Sequence, residues 1–308
     1  MTVPTPAASF LEVSSRSQRS FTAFGALVLV GSCSACSGGS VNRESLNVGV
    51  ERAPAPPRGA LVLGGESGSR AVALAVGQGR VTATVLSPAG EPLSGLKVSF
   101  ADGPRVVTAH ACGHGCYSAA MPRAPQVELR LSGSRPVVFR VPASSRSGAA
   151  IVARATRATR SLSSLVYVES LRSGPKGGLL TTWELVAPNR VEYRIRGGAS
   201  AIVIGERRWD RDKPGKRWRR SQQLPPLRVP QPAWGSVATN AYVLGKARVD
   251  GRPVWVVSFA NPTTPAWFTA WIDRENYRPL RLQMAAAAHF MTHHYVDFNG
   301  PTAINPPR

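Results

Sequence analysis

The amino-acid sequence predicts a mainly β protein, in which a small Ig-like β-sandwich is followed by a large curved antiparallel sheet with a helix at its N-terminus. Between residues 60 and 145, short alternating segments such as "RVTATVL" and "QVELRL" are separated by Pro/Gly turns at spacings of roughly ten residues, which is typical of a small sandwich. From residue 150 to residue 308 the alternating segments are longer, and about nine of them follow one another. Because strand twist makes so large a sheet curl, we expect one curved sheet.

The first 33 residues resemble the signal peptide of a bacterial lipoprotein. An uncharged apolar run, "FTAFGALVLV", follows Arg16 and Arg19; it has the length of a signal-peptide h-region and is short for a membrane span. The next residues, "VGSC", resemble a lipobox and predict cleavage before Cys33 and lipidation of that cysteine. Cys36 offers an alternative position, but Val30 fits the aliphatic lipobox position better. The sequence therefore predicts a lipid-anchored protein on the extracytoplasmic face of the cell membrane.

Residues 34–59 are predicted to form a flexible tether, since they are rich in Gly, Ser and Pro and show no apolar period. The small and polar segment 144–148 marks the predicted border between the sandwich, residues 60–145, and the second folded unit, residues 150–308.

The stretch "HACGHGC" allows two interpretations. His110, Cys112, His114 and Cys116 occupy every second position, which suits copper or zinc. If the chain were extended, the two cysteines would lie about 13 Å apart, beyond the roughly 7 Å that a disulfide permits. The two intervening glycines can adopt positive φ and fold the segment into a tight loop. In an oxidising compartment we expect Cys112 and Cys116 to pair, which leaves only His110 and His114 as candidate metal ligands.

The second unit carries an ordered set of motifs. It begins with "ARATRATRSLSSLV", in which Ala, Leu and Val recur at helical spacing. A Trp strand, a "PNR" turn, a "GG…IG…W" hairpin, and a "W-x-D" strand with a "PLR" turn follow in that order. Over about 150 residues the chain thereby resembles the LolA/LppX-like lipoprotein superfamily. The resemblance implies a half-barrel capped by a helix, whose hollow holds the acyl chains of a lipid or lipoprotein.

The "CGHGCY" segment gives the first unit a different resemblance. Over about 80 residues it is similar to the small extracytoplasmic β-module of CopD-type copper-transport proteins. This resemblance implies copper handling, although the sequence has no multi-span membrane part of the kind that such transporters use.

Charge and composition exclude several classes of function. The net charge is +21, and only five of the 38 basic residues are Lys. The Arg residues are scattered without a nucleic-acid-binding motif, so we expect no nucleic-acid partner, while a basic surface suits anionic lipid headgroups. The 17 acidic residues lie mostly beside Arg or in turns, and there is no G-x-S-x-G, H-E-x-x-H or phosphate-loop motif. We therefore predict a protein that is not an enzyme.

Four tryptophans are candidates for the lining of a ligand cavity: Trp183, Trp255, Trp267 and Trp271. Trp267 and Trp271 lie four residues apart in "AWFTAWID" and so share one side of a strand. The alternative is that these rings fill a core. A single curved sheet, however, has more concave surface than one helix covers, which favours a cavity.

The segment "RRWDRDKPGKRWRR" predicts a basic hairpin with its turn at "DKPGK". It is either a solvated hairpin or a contact for anionic headgroups with Trp at the membrane interface. The candidate contact residues are Arg207, Arg208, Lys216, Arg217 and Trp218.

A second candidate metal site lies in "AAHFMTHHY". His289, Met291 and His293 share one side of the predicted strand, with His294 on the other, and Met and His together suit copper. Neighbouring residues on one side of a strand are roughly 6.5–7 Å apart, so a metal ion would need a ligand from another strand. The superfamily resemblance favours a packing role for these residues instead.

The sequence-based hypothesis is a lipid-anchored binding protein that holds a lipid or an acylated ligand in a half-barrel cavity. The alternatives are a copper-handling accessory protein of the cell envelope and a purely structural envelope module. No cofactor is expected under this hypothesis, and copper belongs only to the copper-handling alternative.

Overall fold

The structure is a computed structural model that describes residues 53–235, 237–261 and 263–308. These residues form one compact body, in which the sandwich (residues 60–145) is the first unit and residues 146–308 are the second unit. The predicted signal peptide, Cys33, Cys36 and the tether as far as residue 52 lie outside the described residues. Within the three described ranges, no helix is long and apolar enough to cross a membrane.

The last residues of the predicted tether are bound to the folded unit. Asn240 donates its side-chain amide to the carbonyl oxygens of Pro57 (2.8 Å) and Ala60 (2.9 Å), and the Tyr242 hydroxyl donates to the carbonyl oxygen of Gly59 (2.8 Å). Both donors belong to a strand of the second unit. The chain is therefore held against the second unit just before the first strand begins.

Two antiparallel sheets form the first unit, as predicted. The five-stranded sheet has the order β1-β2-β3-β7-β6, and the four-stranded sheet has the order β5-β4-β8-β9. Alternation buries one face of each sheet in a shared core, which includes Leu74, Val85, Phe100 and Leu129. The strands are β1 (Leu61–Ser67), β2 (Arg70–Val76), β3 (Arg80–Leu86), β4 (Val98–Asp102), β5 (Arg105–Thr108), β6 (His110–Gly113), β7 (Cys116–Ala120), β8 (Gln126–Leu131) and β9 (Val137–Arg140).

The predicted disulfide is confirmed. Cys112 and Cys116 are bonded, with their Cα atoms 5.1 Å apart. Gly113 and Gly115 adopt φ of +137° and +63°, so the β6–β7 hairpin turns as expected, with His114 at its tip. A Cβ added at Gly115 would lie 2.8 Å from the Cβ of Pro92 and 2.8 Å from the carbonyl oxygen of Val85 in β3. A side chain therefore does not fit at this position.

One antiparallel sheet of twelve strands forms the second unit. It is larger than the nine strands predicted, because "ASAIVIGERRW" folds back on itself as a hairpin and two short strands join the edges. Its order is β10-β17-β18-β19-β20-β21-β11-β12-β13-β14-β15-β16. The strands are β10 (Arg146–Ser147), β11 (Ser164–Arg172), β12 (Leu179–Val186), β13 (Arg190–Ile195), β14 (Ser200–Ile204), β15 (Arg207–Arg211), β16 (Arg219–Gln222), β17 (Thr239–Val249), β18 (Arg252–Asn261), β19 (Ala266–Asp273), β20 (Pro279–Ala286) and β21 (His289–Phe298).

The predicted N-terminal helix, α1 (Ala149–Arg160), lies between β10 and β11. It is amphipathic: Val152 and Ala155 are buried, while Arg154, Arg157 and Arg160 are exposed. The buried side of the helix packs against one side of the large sheet, and we call that side of the sheet the helix face. Val257, Phe259, Phe268, Ala270 and Leu282 belong to the helix face and share a core with the helix.

The opposite side of the large sheet packs against the first unit, and we call it the sandwich face. Trp267, Ala285 and Phe290 of this face form a buried cluster with the outer side of β1–β3, including Val62 and Ala73. Strands β1–β3 of the five-stranded sheet are therefore covered on both sides, whereas the edge strand β6 is exposed.

One segment crosses the helix face. β16 and β17 are consecutive in the chain but lie at opposite ends of the sheet, so the residues after Gln222 must span it. Val229 donates its backbone N–H to the carbonyl oxygen of Pro188 (2.9 Å). Further along, Trp234 packs edge-on against Phe259 and donates its indole N–H to Thr156 of α1 (3.0 Å). Helix and crossing segment together cover part of the helix face.

Candidate functional site

Four aromatic rings form a continuous row on the helix face, which we call the aromatic row. Cross-strand pairing places Tyr295 of β21, Tyr167 of β11, Trp183 of β12 and Tyr193 of β13 side by side. Ring centroids are 5.5 Å apart for Tyr167 and Tyr295, 5.9 Å for Tyr167 and Trp183, and 4.9 Å for Trp183 and Tyr193. Such spacings are favourable for aromatic pairs, so the row is a stable surface rather than a set of independent side chains.

A buried polar pair lies next to the aromatic row. His293 of β21 and Glu169 of β11 face each other across paired strands, and His293 Nε2 donates to Glu169 Oε2 (2.9 Å). With its proton on Nε2, His293 accepts at Nδ1 from the Tyr295 hydroxyl (3.4 Å), and the Tyr167 ring lies 4.5 Å from the imidazole. His293 is 3% exposed and Glu169 is 9% exposed, so both polar groups depend on each other for hydrogen bonding.

Burial also sets the protonation of the neighbouring phenols. Desolvation, with a further contribution from the negative charge of Glu169, raises the pKa of Tyr167 well above its ordinary value. The same two causes raise the pKa of Tyr295. Burial also raises the pKa of Tyr193, although Arg208 acts in the opposite direction. The three phenols therefore remain neutral hydrogen-bond donors over the physiological pH range.

The indole N–H of Trp183 is a buried donor that has no hydrogen-bond partner among the described residues. A buried donor without an acceptor costs about 1–3 kcal/mol. The aromatic row thus contains a donor whose hydrogen bond the described residues do not supply.

An ion pair ends the aromatic row on β15. Arg208 donates to Asp210 from both Nη2 (2.7 Å) and Nε (2.8 Å), and its Nη2 lies 3.5 Å from the Tyr193 hydroxyl. The hydrogen bonds to Asp210 raise the pKa of the Arg208 guanidinium. Arg208 is therefore engaged with the sheet itself.

A row of partly exposed apolar side chains lies on the other side of the polar pair, and we call it the methionine–leucine row. Register pairs Met284 with Met291, Met291 with Leu171, and Leu171 with Leu179 across β20, β21, β11 and β12. Leu179 is 47% exposed, and the other three are partly exposed. Three strand spacings give this apolar row a length of about 14 Å.

The four candidate cavity tryptophans do not share one surface. Trp183 and Trp255 belong to the helix face, whereas Trp267 and Trp271 do lie on one side of β19 but on the sandwich face. Trp267 is buried against β1, where a Cβ at Gly64 would lie 2.7 Å from the Trp267 Cβ. Arg281 covers the Trp271 ring at 4.8 Å. Periodicity identified the shared side of Trp267 and Trp271 but not what covers it.

The five candidate headgroup residues are likewise divided. Arg208 is paired with Asp210, and the Trp218 ring is covered by Arg211 at 4.5 Å. Arg207 lies on the sandwich face, 5.7 Å from the Trp209 ring. Lys216 and Arg217 are exposed in the turn between β15 and β16. A headgroup contact at this hairpin stays a prediction, and Lys216 and Arg217 in the turn are its exposed candidates.

The candidate metal ligands lie in two separate places. His110 is exposed on β6, and His114 lies in the disulfide hairpin. On β21, His289, Met291 and His293 share the helix face as predicted, but His293 is bonded to Glu169 and His289 Nδ1 lies 3.0 Å from the carbonyl oxygen of Ala287. In the described ranges, no three His, Cys, Asp or Glu side chains are grouped so that they could hold a metal ion.

A small cavity of about 170 Å³ lies on the sandwich face, between β1 and strands β19–β21. Trp267 and Phe290 contribute apolar surface to it, and the ion pair between Arg172 and Glu66 (2.6 Å) borders it. This cavity is separate from the aromatic row.

Sequence reasoning missed Glu169, Tyr167, Tyr193 and Tyr295. Each occupies an alternating position of a predicted strand, in "SLVYVESL", "NRVEYRIRG" or "HFMTHHYVDF". An acidic residue on the apolar side of "SLVYVESL" was the available signal for Glu169. Its partner could not be predicted, because β11 and β21 are more than 100 residues apart in the chain.

No protein-family model and no curated protein matches the chain. Among solved structures, the Mycobacterium tuberculosis lipoprotein LppX is 15% identical, with a TM-score of 0.39, over 51% of this chain and 97% of LppX. LprF from Mycobacterium bovis is 14% identical, with a TM-score of 0.38, over 53% of this chain and 99% of LprF. A LolA superfamily protein from Nitrosomonas europaea is 10% identical, with a TM-score of 0.25, over 50% of this chain and 93% of that protein.

These proteins include LppX and a LolA superfamily member, the two groups that the sequence resemblance named. Because the TM-scores lie below 0.5, we base the functional proposals on the geometry of this chain alone.

Proposed function

We propose that this protein is a lipid-anchored, extracytoplasmic binding protein that holds a lipid or an acylated ligand on its helix face. The observation that carries the proposal is the methionine–leucine row, a continuous apolar strip beside a buried polar pair. Apolar side chains that stay partly exposed in register across four strands offer a surface for an alkyl chain.

Burial of the alkyl chain would supply most of the binding free energy. Each methylene that leaves water contributes about 0.8 kcal/mol. Two methionines in the row suit a ligand of variable shape, because the Met side chain is unbranched and adapts to irregular surfaces. The row therefore favours a flexible acyl chain over a rigid ligand.

The polar end of the ligand would lie near the aromatic row. The buried Trp183 N–H, which has no partner among the described residues, would gain an acceptor from the ligand there, and Glu169 supplies a carboxylate that accepts a hydrogen bond from His293 at one oxygen. A few polar groups beside an apolar surface are the usual means by which a lipid site orients its ligand. The predicted acyl group on Cys33 would keep this site close to the membrane.

Native mass spectrometry of the full-length protein, purified from its own cells, tests the proposal. We expect a non-covalently bound species with the mass of a lipid or an acylated molecule, in addition to the covalent acyl modification at Cys33. The variant Leu179→Glu places a charge in the methionine–leucine row and should lose the bound species.

The matched control is Val138→Glu in the sandwich, because Val138 is 52% exposed and Leu179 is 47% exposed. Val138→Glu should retain the bound species. Absence of any bound acyl species in the wild type, or equal loss in both variants, would contradict the proposal. Bound copper that EDTA removes would instead support the copper-handling alternative.

A further inference from the structure

Three cations surround one tryptophan at the β10–β17–β18 end of the large sheet. The guanidinium carbons of Arg146 and Arg274 each lie 4.6 Å from the ring centroid of Trp255, and Lys246 Nζ lies 5.4 Å from it. The three side chains come from β10, from β17 and from the turn after β19. Separate parts of the chain therefore bring positive charge to one ring.

No acidic side chain in the described part of the chain forms an ion pair with any of these three cations. All three are exposed, and Trp255 is partly exposed. The ring face attracts each cation, but three neighbouring positive charges also repel one another. Such an arrangement is electrostatically incomplete without an anion.

More basic residues extend this surface. Arg154 of α1 lies 4.9 Å from the Tyr277 ring and donates to its hydroxyl (2.6 Å). Arg248 is exposed on β17, whereas Arg252 is neutralised by Asp273 (2.7 Å). We call Trp255 with Arg146, Lys246, Arg274, Arg248 and Arg154 the Trp255 surface.

We propose that the Trp255 surface docks onto an anionic membrane. Basic side chains near an anionic lipid surface each contribute about fivefold to the partition constant, as follows from about 1 kcal/mol per charge. Stacking on Trp255 restrains the guanidinium groups in a position from which their N–H groups remain available to phosphate. A partly exposed indole is itself suited to the interface between headgroups and acyl chains.

The hairpin at β15–β16 is the other strongly basic part of the second unit. It contains eight basic residues, of which Arg208 and Arg219 pair with Asp210 and Asp212. The three central cations of the Trp255 surface form no ion pair with a described acidic side chain, and all three lie against one aromatic ring. The Trp255 surface therefore combines unpaired positive charge with a partly exposed indole in one place.

Vesicle co-sedimentation of residues 53–308 tests the inference without the predicted acyl anchor. This part of the chain contains every described strand and the helix, in one compact unit. The probes are phosphatidylcholine vesicles with and without about 30% phosphatidylglycerol, at low salt and at high salt. We expect binding only to the anionic vesicles, weakened by salt.

The triple variant R146Q/K246Q/R274Q should weaken that binding by about a hundredfold, since three contributions of about fivefold multiply. The matched control R105Q/R135Q/R140Q removes the same charge from exposed positions of the sandwich and should change binding by less than fivefold. Thermal unfolding of both variants checks that the fold is retained.

Equal weakening in the two variants, or equal binding to neutral vesicles, would overturn the inference. A competition with heparin distinguishes a membrane from other polyanions. If heparin binds through the same three residues as tightly as the vesicles do, the assignment to a membrane is wrong. Binding through the apolar helix-face site would appear with both kinds of vesicle, whereas docking by the Trp255 surface requires the anionic ones, so the failure of this inference and the failure of the proposed binding function are distinguishable.

Discussion

The two faces of the twelve-stranded sheet differ in how they are covered. On the sandwich face, Trp267 and Phe290 are buried against another sheet, and Gly64 lets that sheet approach closely. On the helix face, one helix and one crossing segment cover the sheet only in part, and Leu179 remains 47% exposed. The same alternation of residues thus produces a buried interface with one small cavity on one side and a surface with polar groups and partly exposed apolar groups on the other.

This difference separates stability from function. A buried apolar interface contributes to the free energy of unfolding through burial and packing. The hydrogen-bonded His293–Glu169 pair contributes little to stability, because both polar groups are buried. The Trp183 N–H, which has no partner among the described residues, lowers stability. The helix face therefore retains groups that a purely structural surface would replace with apolar ones.

The largest expected effect is on the sandwich face. Trp267→Ala should lower the free energy of unfolding by about 3–5 kcal/mol, because it removes a buried ring and enlarges the cavity beside it. Trp271→Ala on the same strand and face is the control, and it should cost less because Trp271 is partly exposed. Urea unfolding measures both. Equal costs would show that the burial of Trp267 adds nothing to stability beyond what the partly exposed Trp271 provides.

An intermediate effect is expected at the polar pair of the helix face. Glu169→Leu should cost about 1–3 kcal/mol, because it leaves His293 buried without its acceptor. The double variant Glu169→Leu/His293→Leu should be more stable than Glu169→Leu alone, since both polar groups are then removed. If the double variant is instead the less stable of the two, the pair is a stabilising element of the core.

The smallest effect concerns alkaline pH. Tyr295 has a pKa that burial raises in the folded state, whereas an unfolded tyrosine titrates near about 10. Above that pH the unfolded chain releases a proton that the folded chain keeps, so stability falls as pH rises, by about 1.4 kcal/mol per pH unit for each such tyrosine.

Tyr295→Phe should therefore reduce the slope of stability against pH above about pH 10, measured by urea unfolding at successive pH values. The same substitution at Tyr167, whose pKa is raised for the same two reasons, should act alike. An unchanged slope in both variants would mean that the helix face lets water reach these phenols.

Local patterns were sufficient for most elements of the fold. Alternation predicted segments such as β3 and β8 of the first unit and the nine long segments of the second, whereas β1, β2 and β5 were not identified. Helical spacing predicted α1, and the two glycines between Cys112 and Cys116 predicted the disulfide hairpin. These features depend on residues that are neighbours in the chain. The two short edge strands and the division of "ASAIVIGERRW" into β14 and β15 were missed, because short segments carry little periodic signal.

The candidate site could be predicted only in part. Periodicity placed Met291 and His293 on one side of a strand and Trp183 on another predicted strand, but it did not show that these strands share a face. It grouped Trp267 with Trp183 as cavity residues, although the two lie on opposite faces. The pairing of strands depends on residues that are far apart in the chain. Glu169 and His293 come into contact only because β11 pairs with β21.

The sequence by itself determined the β-rich architecture, the disulfide and the excess of positive charge. It also predicts an extracytoplasmic lipoprotein. Only the tertiary structure decided that Trp267 is buried between two sheets, that Tyr295, Tyr167, Trp183 and Tyr193 form one row, and that three cations converge on Trp255. The physical reason is that alternation fixes which residues share one side of a strand. The pairing of distant strands, and the packing of one sheet on another, then decide what each side meets.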